Sequence, residues 1–263
     1  MYQATLQDRA HQLLQDAGAP LSHIDLVIRV LSMPQVKPPL ARHLATKLLN
    51  GDPRFSYCPR QGWLLSPPPS LRTPLRDVPF TIVDTETTGT ANSSRITEIG
   101  AVRVHRGRLL ARYESLMNAG VPVPANITAL TGISQELVDN APRPEQVIPE
   151  FRTFLGQTVI VAHNLPFDLR FIRQEFTLQE QELPQAPSLC TLKLARKLLP
   201  LQHFDLGRVA SHFRIRVNNR HRALGDAEAT ARILIQLMKE VEASGAQTLE
   251  DVMKLVKNVK ISS

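Results

Sequence analysis

Asp84 and Glu86 stand two residues apart at the end of an apolar run, in Val78-Pro-Phe-Thr-Ile-Val-Asp-Thr-Glu-Thr-Thr-Gly-Thr90. Phe80 to Val83 reads as the buried half of a β-strand, and on a strand residues i and i+2 project from one face. Two carboxylates aimed the same way repel each other and resist burial. A hard divalent cation would offset that repulsion, because such ions take oxygen ligands.

Two further stretches carry acids in similar settings. In Val159-Ile-Val-Ala-His-Asn-Leu-Pro-Phe-Asp-Leu-Arg-Phe-Ile172, a buried strand stops at His163-Asn164. Pro166 then opens a helix with Asp168 in its first turn. In His221-Arg-Ala-Leu-Gly-Asp-Ala-Glu-Ala-Thr230, a loop histidine precedes Asp226, which starts a long amphipathic helix with Ala229, Ile233 and Leu237 on its core face. Each feature also has a plain structural use. An aspartate can end a strand before a Thr/Gly turn, complement a helix dipole or cap a helix, and a loop histidine can simply face water.

The elements that must hold these residues fall into two groups. The stretch Ser66-Pro-Pro-Pro-Ser-Leu-Arg-Thr-Pro74 forbids helix and makes a stiff, extended spacer. A Pro-rich linker is therefore expected over 66–78, between a first domain at 1–65 and a second at 79–244, with a C-terminal helix and tail at 245–263. The first domain reads as three helices, Ala4–Ala17, Leu21–Leu31 and Pro39–Leu49, then a hairpin of Arg54–Tyr57 and Gly62–Leu65. That order resembles a winged helix. The resemblance implies duplex binding through the third helix, with Arg42, His43 and Lys47, or alternatively a protein-interaction module.

Beyond the linker the pattern is α/β. Strands are expected at Phe80–Asp84, Arg95–Val104, Leu109–Met117, Thr158–His163 and Ser188–Thr191. Helices are expected at Glu145–Leu155, Pro166–Phe176, Leu192–Leu199, Phe204–His212 and Asp226–Ala243. Three strands with short connections suggest an antiparallel meander, and the later strands, alternating with helices, should pair in parallel. The result is a mixed sheet flanked by helices. A last amphipathic helix over Thr248–Val259 should pack on it.

Composition sets the outer bounds. The 263 residues carry a net charge of +7, which suits a polyanionic partner without naming one. Residues 1–65 hold seven Lys/Arg against four Asp and no Glu. Cys58 and Cys190 are isolated, which argues against a zinc site or disulfide framework and fits a reducing compartment. With no signal-peptide pattern and no apolar run of membrane-spanning length, a cytoplasmic location and no membrane partner are expected.

Taken together, Asp84-Thr-Glu86-Thr-Thr-Gly89, His163-Asn-Leu-Pro-Phe-Asp168 and His221-Arg-Ala-Leu-Gly-Asp226-Ala227 resemble the three motifs of the DnaQ-like, or DEDDh, 3′–5′ exonucleases. The polymerase III epsilon type is the nearest pattern. Ile127-Thr-Ala-Leu-Thr-Gly-Ile-Ser134 is similar to the segment that follows the third strand in that family, read here as a loop. The resemblance spans about Pro79 to Ala243 and implies an RNase H-like fold. It implies that Asp84, Glu86, Asp168 and Asp226 hold two divalent cations, Mg²⁺ or Mn²⁺, whose four positive charges the four acids balance. Such ions stabilise both the attacking and the leaving oxygen of phosphodiester hydrolysis. His221 would be the general base. Thr87, Thr88, Gly89 and Asn164 would contact the terminal nucleotide. Thr90 departs from the family, where a bulky apolar residue often follows that glycine.

The implied function is a metal-dependent 3′–5′ exonuclease acting on single-stranded or frayed DNA in proofreading or repair, in contact with a DNA polymerase or repair complex. The alternatives are an exoribonuclease and a nucleic-acid-binding, polymerase-associated module with little turnover.

Overall fold

The chain is described by a computed structural model over residues 5–261. The expected first residue of the first helix, Ala4, and the last two residues of the tail lie outside the described range.

The N-terminal unit follows the expected order: α1 Leu6–Ala17, α2 His23–Leu31, α3 Pro38–Leu49, β1 Phe55–Cys58 and β2 Gly62–Leu65. Thr5 caps α1 through a reciprocal box with Asp8, and Gly18 ends the helix at φ 58°. β1 and β2 pair antiparallel, and Leu21 exchanges two 2.8 Å backbone hydrogen bonds with Trp63, a single bridge that ties the start of α2 to the hairpin. Ala10, Leu14, Leu26, Val30, Leu49 and Trp63 belong to a core of this unit's own.

The second unit is a five-stranded mixed sheet between helices, the arrangement the sequence pattern led one to expect. Its strands are β3 Phe80–Thr87, β4 Ile96–His105, β5 Arg108–Leu116, β6 Val159–Ala162 and β7 Ser188–Cys190, in the order β5-β4-β3-β6-β7. β3, β4 and β5 run antiparallel as a meander, whereas β6 lies parallel to β3 and β7 parallel to β6. The helices are α4 Ala125–Thr131, α5 Gln135–Asp139, α6 Pro144–Leu155, α7 Leu165–Leu178, α8 Thr191–Leu198, α9 Leu206–His212, α10 Ala223–Ala243 and α11 Leu249–Val256. Ile82, Val102 and Val161 pack with α8 to α11 on one side of the sheet; Val83, Ala101 and Ile160 pack with α6 and α7 on the other. Alternate residues of each strand thus serve opposite cores.

Three helices depart from expectation. Ile127–Ser134, read as a loop, holds the last five residues of α4, which ends on Gly132 at φ 73°, and Ser134, which caps α5. These helices are seven and five residues long, too short for apolar periodicity to register. α10 begins at Ala223 rather than Asp226, so Asp226 sits inside the first turn.

The two units meet at a buried charge cluster. Arg54 donates to both oxygens of Asp52, to Asp8 at 2.6 Å and to the Thr153 carbonyl on α6 at 3.4 Å. Asp52 also approaches Arg103 of β4 at 3.8 Å, and Arg103 lies over the Phe154 ring and donates to the Phe154 carbonyl. A Cβ at Gly156 would stand 3.1 Å from the Arg54 side chain, so the glycine admits that arginine. The Pro-rich stretch is anchored as well. Leu75 and Val78 are buried in the core beside α10 and α11, and Glu250 donates its amide to the Leu71 carbonyl at 2.7 Å.

Candidate active site

β3 carries Asp84 and Glu86 on one face, at the end that emerges from the core. In register across β4 stand Gly100 opposite Asp84 and Glu98 opposite Glu86. The first turn of α10 descends onto this face and brings Asp226 with it. Asp84, Glu86 and Asp226 each present an oxygen, and the three oxygens lie within 4.8 Å of one another. Asp226 is 6% exposed; one of its oxygens accepts from the His221 amide at 3.2 Å, and the other is buried without a hydrogen-bond partner. An orphaned buried carboxylate oxygen is costly unless something positive meets it. Three convergent carboxylates and one unpartnered oxygen fit a hard divalent cation.

Asp168 stands outside this group of three, on the Thr85 side of β3, and acts on Asp84 and Glu86 through its charge. Asn164, in the left-handed region at φ 74°, turns the chain from β6 into α7 and places Asp168 in the helix's first turn. There it is 4% exposed and accepts from both the backbone N–H and the hydroxyl of Thr85, each at 2.9 Å. Thr85 lies between the two acids of β3 but points to the opposite face.

The electrostatics follow from this crowding. Burial pushes the Asp84 carboxyl well above the usual range, and Asp168, Asp226, Glu86 and Glu98 push the same way. Burial, then Glu98, Asp226 and Asp168, raise Glu86 to about 7, with Arg222 opposing. Burial raises Asp168 to about 7 against the pull of the Thr85 donors. Asp226 is raised by burial, against Arg220 and the His221 amide. Without cations the cluster is a set of acids held partly neutral.

A cleft of about 480 Å³ opens beside the cluster, lined by Asp84, His163, Asn164, Phe204, Arg220 and Asp226; of the remaining expected site residues only Asn164 lines it. His221 is half-buried on the loop before α10, with φ 60°. The hydroxyl of Thr87 donates to the Gly89 carbonyl at 2.7 Å, and that of Thr88 accepts from the Arg95 amide at 3.0 Å, so both shape the loop after β3. Gly89 has φ 146°, and a Cβ there would press on the Ser94 hydroxyl at 3.1 Å.

Four neighbours of the cluster had no role in the sequence reading, although His163 and Arg222 stand within its motifs. Thr85 holds Asp168. His163 is pinned by its ring nitrogens to the Thr191 hydroxyl at 3.0 Å and the Phe204 carbonyl at 2.7 Å. Glu98 is fully buried and pairs with Arg222. Outside those motifs, Glu98 had a signal in the sequence, as an acid inside the apolar strand Ile96-Thr-Glu-Ile-Gly-Ala-Val102.

The exonuclease family model named RNase_T matches residues 81–234, which is most of the α/β unit and more than half of the chain. The chain belongs to this exonuclease family. It is 37% identical over 173 residues to the DNA polymerase III subunit epsilon of Aquifex aeolicus, covering 65% of this chain and 86% of that protein. It is 38% identical over 201 residues to a Mycobacterium tuberculosis protein named as a bifunctional exonuclease/endonuclease, covering 73% of this chain but only 31% of that longer protein. Among solved structures, exonuclease X in complex with 5′-overhanging duplex DNA superposes with a TM-score of 0.55 at 28% identity, over 67% of this chain and 99% of that one. The α/β unit is thus a hydrolytic exonuclease domain of the DEDDh type, a family that works with divalent metal ions.

Among the described residues no helix is long and apolar enough to cross a membrane.

Proposed function

We propose that this chain removes nucleotides one at a time from the 3′ end of single-stranded or frayed DNA, in proofreading or repair. The observation that carries the reading is the convergence of Asp84, Glu86 and Asp226 within 4.8 Å, with a buried Asp226 oxygen left unpartnered. Asp84, Glu86 and Asp226, with Asp168 beside them, would hold two divalent cations, Mg²⁺ or Mn²⁺. When bound, such ions stabilise the charge that develops on the attacking and leaving oxygens.

The chain's own residues supply the rest. His221 takes the proton of the attacking water, a role its loop position beside Asp226 supports. Asn164 and the Thr87–Gly89 loop border the place of the terminal nucleotide, with Thr87 and Thr88 acting through the loop's shape. His163, fixed on both ring nitrogens, holds the end of β6 rigid beneath Asn164. Residues 1–65 form a separate winged-helix-like domain in this reading. The exposed Lys37, Arg42, His43 and Lys47 on and beside α3 support contact with nucleic acid. A polymerase or repair complex is the partner that the epsilon-like sequence supports.

The test uses matched 5′-labelled single-stranded DNA and RNA oligonucleotides in Mg²⁺ or Mn²⁺, with EDTA and Asp84→Ala as controls. A metal-dependent ladder shortening from the 3′ end on DNA, lost in both controls, is expected. Faster shortening of RNA would make the enzyme an exoribonuclease. Binding without cleavage of either would leave only a binding module.

A further inference from the structure

Glu98 poses a problem that the proposed reaction does not solve. It is fully buried on β4, directly opposite Glu86 and on the face that carries the acidic cluster. Its charge adds to the repulsion among groups that are already crowded. If the fold needed only a filled space, an apolar residue would serve as well or better, because a buried ion pair adds little stability over a packed apolar pair.

Its hydrogen bonds show where it acts. One oxygen accepts from the Ala223 backbone N–H at 2.8 Å, and both accept from the Arg222 guanidinium, at 2.5 to 3.1 Å. Ala223 is the first residue of α10, and Arg222 stands at its N-cap, where no side chain of the local sequence caps the helix. Glu98 therefore satisfies a helix-start donor that nothing nearby in sequence satisfies. Two residues along the same face, Gly100 completes the seat. A Cβ there would lie 2.1 Å from the Ala223 carbonyl carbon and 2.4 Å from its oxygen, so only glycine lets the helix start rest on β4.

The residues that benefit lie on either side of this seat. His221 directly precedes Arg222, and Asp226 follows within the same turn. The loop before them is closed down in the same way, since a Cβ on Gly225 would lie 2.3 Å from the Asn218 carbonyl oxygen. With α10 anchored at its first residue, Asp226 is held beside Asp84 and Glu86 on the neighbouring strand, and His221 is tied to the same anchor two residues before it.

We propose that Glu98 and Arg222 are positioning residues: their paired charges, with Gly100 beneath, fix the start of α10 and so set His221 and Asp226 against the acids of β3. The proposal rests on the assignment of the acidic cluster as the metal-dependent site. It assigns to Glu98 no contact with substrate or cation.

The experiment compares full-length wild type with Glu98→Gln, Arg222→Met, Arg222→Lys and Gly100→Ala. Glutamine keeps the shape of Glu98 but loses one acceptor, and Gly100→Ala lifts the helix start without altering any charge. Mn²⁺ affinity is read by titration calorimetry, kcat and KM on a 5′-labelled single-stranded oligonucleotide, and the folded fraction by circular dichroism at the assay temperature. Glu98→Gln and Arg222→Met should bind Mn²⁺ or turn over about 10- to 100-fold less well, as when the supports of metal ligands are removed, with KM for DNA within about twofold of wild type. Arg222→Lys should recover part of the loss, and Gly100→Ala should reproduce it if folded.

Wild-type Mn²⁺ affinity and kcat in Glu98→Gln and Arg222→Met would overturn the proposal, as would losses that merely track the folded fraction. A wild-type protein that neither binds Mn²⁺ nor cleaves DNA would instead remove the site assignment, and the positioning role with it.

Discussion

Replacing Glu86 by glutamine should make the metal-free protein more stable while abolishing its turnover. The magnitude follows from the crowding around that side chain. In the folded protein, burial and then Glu98, Asp226 and Asp168 raise the Glu86 carboxyl from 4.5 to about 7. Below about pH 4 the group is protonated in both folded and unfolded chains and has no effect on the balance. As pH rises through 4.5, the unfolded chain ionises while the folded one holds its proton, so stability falls until about pH 7 and is level above it. The full difference is about 3 kcal/mol. Glutamine keeps the volume and cannot ionise. In EDTA at pH 8, Glu86→Gln should therefore melt on the order of 5–10 °C above wild type, given roughly 2–4 °C per kcal/mol for a chain of this size. At pH 5 the advantage should shrink below about 1 kcal/mol. Saturating Mn²⁺ should close the gap, since an ion at 100 times its Kd adds about 2.7 kcal/mol to the form that binds it, and the variant has lost a ligand. Thermal melts followed by circular dichroism would check all three conditions. Equal melting temperatures in EDTA at pH 8, or a gap unchanged at pH 5, would refute the argument that Glu86 is held under electrostatic strain.

Two other perturbations test the surroundings. Arg54→Ala removes the shared partner of buried Asp8 and half-buried Asp52 in the seam between the units, leaving Asp52 only the more distant Arg103. Urea unfolding should show a loss of about 3–5 kcal/mol, the usual cost of breaking a buried pair by removing one partner. Thr85→Val deletes one of the two donors that Thr85 offers Asp168 while keeping the strand's shape. A hydrogen bond to a charged group contributes about 1.5–3 kcal/mol, so kcat should drop about 10- to 100-fold with the fold intact, as single-turnover cleavage would show.

What could be read from the sequence was whatever depended on short-range pattern. The apolar run of Phe80 to Val83 placed β3, and the strand's period of two put Asp84 and Glu86 on one face. Pro166 after His163-Asn164 placed the strand-to-helix switch and Asp168 in its first turn. The partners of these residues could not be read in that way. Thr85 finds Asp168 across 83 residues, and Glu98 finds Arg222 across 124. Neither pairing leaves a local trace, because each is set by how β4, α7 and α10 fall against β3.

The start of α10 shows the same limit at the level of a single helix. Local rules look for a cap in the residues just before the helix, and Asp226 is the nearest acid, so they begin the helix there. The observed start lies three residues earlier because the donor at Ala223 is capped from another strand, by Glu98. The sequence placed the helix where it would begin if it had to cap itself. A tertiary cap frees Asp226 from that duty, and the consequence is chemical. A capping carboxylate bonded to its own helix amides would be a poorer ligand, whereas Asp226 keeps one oxygen buried and unpartnered and lies in one cluster with Asp84 and Glu86. Glu86 and Glu98 face each other in register on adjacent strands, yet one is left to meet a cation and the other is neutralised by Arg222. Their difference in role lies in which positive charge the fold delivers to each.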